Sequence, residues 1–121
     1  MQKIAKPEDL VYVCSPLNAP TKEEIQTNME MARVFAAIVS QLSGCRTIAP
    51  HSFLPEYLDD DIPQEREIGM QFCFSVLGIC KAIVVCGNRI SNGMKQEMHR
   101  ARELGIPIYR LVWDEGDYLL I

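Results

Sequence analysis

The sequence predicts an α/β fold, a small doubly wound, flavodoxin-like or Rossmann-like parallel sheet of four to five strands with helices on both faces. Two observations lead there. Four short apolar runs, 10–16, 45–51, 82–87 and 106–113, alternate with three stretches of helical spacing. The runs, "AIVVCG" above all, are continuously apolar rather than alternating, which marks strands covered on both faces. Right-handed crossovers then wind the chain to either side of one sheet.

The elements follow in order. "LVYVCSP" (10–16) is a strand run stopped by Ser15 and Pro16. Thr21 and Glu24 form a T-x-x-E capping box, after which Ile25, Met29, Ala32, Phe35, Ala36, Val39 and Leu42 recur at helical spacing until Gly44 ends the helix. "CRTIAPH" (45–51) is a short strand halted by Pro50. Asp61 with Gln64 is read as the cap of the second helix, and Pro63 suits its first turn. That helix, about 64–79, is apolar on most faces and is expected to be largely buried or to sit at an interface. Asn92 to Leu104 forms the third helix, closed by Gly105 and Pro107, and "IPIYRLVW" is the last strand. A chain of 121 residues with no internal repeat or linker reads as one domain, 1–121.

Composition narrows the function. Net charge is −4 and there is no Lys/Arg block, which disfavours nucleic acid as a partner but leaves a small anionic ligand open. No apolar run approaches the roughly 20 residues that span a bilayer, and the start "MQKIAKPEDL" has no apolar signal core. No membrane partner and a cytoplasmic location are therefore expected. The five cysteines form no CxxC pair, and His51 and His99 stand in no metal-ligand spacing with them. They read as structural thiols, with neither metal nor cofactor expected.

Doubly wound sheets bind ligands outside the carboxyl ends of their strands. Ser15–Asn18, Pro50–Ser52 and Gly87–Glu97 should converge there, so Ser15, Pro16, Asn18, Gly87 and Asn88 are candidate ligand contacts. Gly93 admits a close approach, and the amides of the Ser91-Asn92-Gly93-Met94 turn can cradle a phosphate or sugar oxygen; an ordinary strand-to-helix turn is the plainer reading. Glu97, about one turn inside the helix, leans back toward the rim. It can attack or stabilise an anomeric carbon, or simply complement the helix dipole in solvent. Arg66 can fork onto a phosphate or pair with Asp59, Asp60 or Asp61. Tyr12 can be core or point at the rim, and His51 can serve as an acid–base group or a structural hydrogen-bonder.

Several of these residues lie in motifs shared with a known family. Through "VYVCSPL", "IAPH", "PQEREIGM" and "CKAIVVCGNRISNGMKQEMHRARELGIPIY", the chain resembles the nucleoside 2-deoxyribosyltransferase-like superfamily, and within it a small branch common in phage and bacterial genomes. The pattern of glycine, small or apolar residue, two variable residues and nucleophilic Glu lands on Gly93, Met94 and Glu97. A related group, the phosphoribohydrolases resembling lysine decarboxylase, has Gly-Thr-x-x-Glu in the same place. Both resemblances imply a nucleoside or nucleotide ligand and N-glycosidic chemistry, with Glu97 as the catalytic residue.

The chain departs from the transferase pattern in two places. An orienting Asp on the second helix is replaced by apolar residues, with Glu65 and Glu67 near the helix start, and Ser91 and Asn92 stand where an acid precedes the glycine. Family sites also borrow a residue from a neighbouring subunit, a role open to "WDEGDYLLI". Two functions stay open, an enzyme acting on an N-glycosidic bond and a non-catalytic binder that sequesters an ADP-ribose-like signalling nucleotide. A homo-oligomer, dimer or higher, is expected from the apolar second helix and the tail Tyr118–Ile121.

Overall fold

The two most apolar runs become the central strands, β1 (Leu10–Cys14) and β3 (Ala82–Val85), in the computed structural model, which describes residues 1–121. With β2 (Arg46–Ile48), β4 (Ile108–Asp114) and β5 (Asp117–Leu120) they form one sheet in the order β2-β1-β3-β4-β5. The first four strands are mutually parallel, and β5 runs antiparallel to β4.

Side-chain alternation sets the layers. Val11, Val13, Ala82 and Val84 face α1 (Lys22–Ser43) and pack on its Ala32 and Val39. Tyr12, Cys14, Ile83 and Val85 face the opposite way, onto Cys73 and Leu77 of α2 (Pro63–Leu77) and Met94 and Ala101 of α3 (Asn92–Glu103). The sheet is thus covered on both faces, the doubly wound arrangement expected from the apolar runs. From β1 the chain passes through α1 to β2 on one side. From β3 it passes through α3 to β4 on the other. The loops leaving β1 and β3 diverge, which opens a crevice at their carboxyl ends. No helix is long and apolar enough to cross a membrane.

Both ends of α1 are capped at the expected residues, although only the Thr21 half of the capping box forms. Thr21 Oγ1 accepts the Glu24 amide at 3.1 Å, and Gly44 closes the helix with φ 70°. Three local expectations are corrected. The N-cap of α2 is Ile62 rather than Asp61, whose own amide donates to Asp59 Oδ1 at 2.9 Å. Glu65 reaches back to the Asp59 amide at 3.0 Å instead, so the acidic loop folds on itself before the helix begins. The second strand is only three residues long, because Pro50, which lacks an N–H, opens two 3-10 turns, Pro50–Ser52 and Leu54–Glu56.

The C-terminal tail is the third correction. It is not a free segment but strand β5, joined to β4 by a two-residue turn with positive φ at both Glu115 (50°) and Gly116 (88°). Such turns match the twist of a hairpin. Trp113 and Tyr118 meet edge-to-face across it with centroids 4.8 Å apart, and Leu120 is buried in the α1-side core. The tail therefore belongs to the sheet, with Leu120 buried and Ile121 still exposed.

Two rim glycines differ in kind. Gly87 has φ +99°, and a Cβ there would meet Pro16 Cδ at 2.8 Å. Gly93 is helical, and its Cβ would meet only Ser91 Oγ at 4.0 Å. Gly87→Ala should therefore lose about 1–3 kcal/mol of stability, whereas Gly93→Ala should be neutral or gain up to about 1 kcal/mol. Urea unfolding midpoints read both; a Gly87→Ala protein as stable as the parent would contradict the packing described.

Candidate functional site

Helix α3 carries the central residue. Ser91 caps it, its Oγ accepting the Met94 amide at 3.2 Å while the Ser91 amide donates to the Met94 sulfur at 3.4 Å. From that start, Met94, Glu97 and Ala101 recur at spacings of three and four and form the inward stripe, with all three buried. A carboxylate thus occupies a core position, and Glu97 is 0% exposed. That burial rules out the reading of Glu97 as a solvated dipole partner.

Three other elements deliver partners to it. The 3-10 turn opened by Pro50 aims His51 inward, where its Nδ1–H donates to the Ser15 carbonyl at 2.5 Å. That bond turns His51 Nε2 toward Glu97 Oε1, 3.4 Å away. The separation exceeds the roughly 2.7–2.9 Å of a charge-assisted hydrogen bond, so the two are paired by charge without a bond of good geometry. Helix α2 contributes Cys73, and donor atoms of His51, Cys73 and Glu97 all lie within 4.8 Å of one another. Strand β1 contributes Tyr12, fully buried on the same face.

Every buried side-chain oxygen that lacks a hydrogen-bond partner belongs to this cluster: Tyr12 Oη, Ser15 Oγ and both oxygens of Glu97. Interiors rarely leave such groups unmet, and clustered exceptions mark sites rather than packing. The electrostatics agree. Burial works against charge on His51, but the close approach of Cys73 and the charge of Glu97 outweigh it and raise the imidazole to about 10. Burial, then the Glu97 charge, pushes the Tyr12 phenol well above its ordinary value, and the same two causes push up the Cys14 thiol. At neutral pH His51 is thus an imidazolium and Tyr12 a neutral phenol.

In front of the cluster lies a cavity of about 520 Å³, within the roughly 300–1,000 Å³ of small-molecule sites. His51 and Cys73 line it, as do Asn18 and Arg66, while Tyr12, Ser15 and Glu97 form the layer behind. Arg66 is exposed on this wall and forms none of the ion pairs with Asp59, Asp60 or Asp61 that the sequence allowed.

The candidate residues therefore divide. Tyr12, Ser15, His51 and Glu97 meet in one cluster, and Asn18 and Arg66 border its cavity. Pro16 is buried and packs against Gly87, so both shape the β1–β3 crossing rather than the cavity wall. Asn88 is exposed outside the cavity, and Ser91, Asn92, Gly93 and Met94 serve as the helix start that places Glu97. The Met94 and Lys95 amides are already bonded to Ser91, which removes them from an anion cradle. Cys73 is the member missed by the sequence, where it reads as a structural thiol. Its separations of 22 and 24 residues from His51 and Glu97 match no motif, and only the fold brings them together.

Comparison with other proteins places this geometry. No functionally described protein matches the sequence significantly. Among solved structures, the chain is similar to a 2-deoxyribosyltransferase from the psychrotolerant bacterium Bacillus psychrosaccharolyticus, with a TM-score of 0.62 and 13% identity, over 84% of this chain and 70% of that one. The likeness is one of fold, and it agrees with the superfamily resemblance carried by the sequence motifs. A family model matches residues 9–111, nearly the whole chain, and by that match the protein belongs to the family described as a domain of unknown function, DUF7768.

Proposed function

We propose that this chain binds a nucleoside and cleaves or transfers at its N-glycosidic bond, with Glu97 acting at the sugar. The observation that carries this reading is a buried carboxylate with both oxygens unbonded, beside an imidazolium and beneath a cavity at the switch point of the sheet. A buried carboxylate that no protein group hydrogen-bonds is available to a cationic partner, and an oxocarbenium-like sugar carbon is one. One Glu97 oxygen bonds to C1′ as the C1′–N bond breaks. The base leaves with the electron pair and takes a proton, for which His51 is the protonated group at hand. Water or a second base then displaces the sugar from the ester. His51 and Cys73 stand between cavity and carboxylate, so the sugar reaches Glu97 as the imidazole swings aside about its Ser15 anchor.

Cavity charge refines the ligand. Glu56, Asp59, Asp60, Asp61 and Glu65 line it against Lys22, Arg66 and the His51 imidazolium. Such a field repels phosphates. It favours an uncharged nucleoside and weighs against sequestration of an ADP-ribose-like nucleotide. A second copy of the chain is proposed as partner through α2, where Ile68 (56% exposed) and Phe72 (39%) share one stripe and Ile79 (67%) follows just beyond the helix end. Sedimentation should give a dimer or larger at micromolar concentration, with Phe72→Asp shifting it to monomer; a monomeric parent protein would contradict that interface.

Glu97→Gln tests the chemistry. The variant should keep its fold and its nucleoside affinity to within about tenfold, while base release from a nucleoside panel falls by orders of magnitude, since an amide cannot form the glycosyl ester. Equal release by the variant would remove Glu97 from the reaction. The ion pair adds a pH signature. His51 is raised from 6.5 to about 10 on folding, so its contribution to stability is full below the lower value and is lost as pH climbs through the upper one. Between pH 6 and 10 the unfolding midpoint should fall more for the parent than for His51→Gln; equal slopes would show that His51 is not paired.

A further inference from the structure

We propose that His51, Cys73 and Glu97 form a binding site for a zinc-class divalent cation, open to the cavity. The three donors come from the 3-10 turn after β2, from α2 and from α3, so the fold rather than any local motif assembles them. Their chemistry is selective. One imidazole nitrogen, one sulfur and one carboxylate suit Zn²⁺ or Co²⁺, whereas Mg²⁺ and Ca²⁺ call for oxygen donors throughout. Three protein ligands with a fourth position facing a cavity is also the layout of an open zinc site.

Geometry agrees at the level of single atoms. Ligands about 2.0–2.3 Å from a tetrahedral zinc stand about 3.3–3.8 Å from one another. The His51 Nε2 to Glu97 Oε1 distance is 3.4 Å, and Cys73 Sγ lies within 4.8 Å of the donors of both. The Ser15 carbonyl holds His51 Nδ1–H, which leaves Nε2 as the coordinating nitrogen; metal-binding imidazoles are oriented by such outer contacts. Both Glu97 oxygens lack hydrogen bonds and so are free to coordinate, and Tyr12 Oη, equally unpartnered, stands beside them. His51 and Cys73 line the cavity, which supplies the entry path. On binding, the cation takes the place of the Nε2 proton and the Sγ proton, releases two protons to solvent and changes no oxidation state.

A bound cation would make Glu97 a ligand and withdraw it from sugar chemistry. The site then regulates the proposed reaction, and that consequence alone rests on the glycosidic reading.

Cobalt titration of the full chain tests the site. One equivalent of Co²⁺ should produce a thiolate-to-cobalt charge-transfer band. Cys73→Ser should abolish the band, His51→Gln and Glu97→Gln should each weaken binding at least 100-fold, and Cys80→Ser should leave it unchanged. For the parent protein loaded with Zn²⁺, X-ray absorption at the zinc edge should show one sulfur ligand with nitrogen and oxygen, a result independent of any variant's folding. No band, a band that survives Cys73→Ser, or a zinc spectrum with no sulfur or several would overturn the site. Base release from nucleosides is measured separately on metal-free protein. Cobalt bound in the stated way supports the metal site even if no base is released, so the two ideas fail independently.

Discussion

A carboxylate held in the interior with one imidazole for company is the constraint around which this molecule is arranged. Burying a charge is costly unless a partner offsets it, and breaking such a pair leaves the survivor exposed to the full desolvation cost. His51 is that partner, and its orientation depends on the Ser15 carbonyl at the end of β1. One hydrogen bond therefore links the strand end, the turn after β2 and the helix after β3. An interior optimised only for stability would place an apolar side chain between Met94 and Ala101, so Glu at that position is costly to the fold.

The fold makes this placement possible. Because the sheet order is β2-β1-β3-β4, the loops after β1 and β3 part company and leave a crevice, and α2 and α3 pack on the face that carries Tyr12. Pro16 and Gly87 cross so closely at the floor of that crevice that no Cβ fits. The same face carries Cys14, a core thiol, and Cys73, which stands beside His51 and Glu97. The opposite face, under α1, is apolar throughout and carries only stability.

Much of the fold was legible in the residues. Continuous apolar strands, the Thr21 cap and Gly44 each acted through local physics, and the structure kept them. The hairpin was missed because Glu115-Gly116 lacks the Asn-Gly or Asp-Gly signature of a two-residue turn, although Gly116 supplies the needed φ. The apolar tail is thereby an edge strand of the sheet. The cap of α2 was misassigned because Asp59, Asp61 and Glu65 bond among themselves. Within the site, Glu97 and His51 stood out as polar residues beside strand ends. Cys73 did not, since a cysteine on an apolar helix carries no mark of what it faces. The depth of Glu97 was likewise invisible, because a core position and a rim position one turn into a helix share the same spacing.

The central claim is that Glu97 meets the sugar of a nucleoside, and the covalent state tests it most directly. Metal-free protein is mixed with 2′-deoxynucleosides, quenched in acid, digested and weighed by mass spectrometry. The account predicts a peptide containing Glu97 that is heavier by one deoxyribosyl group, with free base in the supernatant. An unmodified Glu97 peptide while base is released, or a sugar attached to another residue, would contradict it.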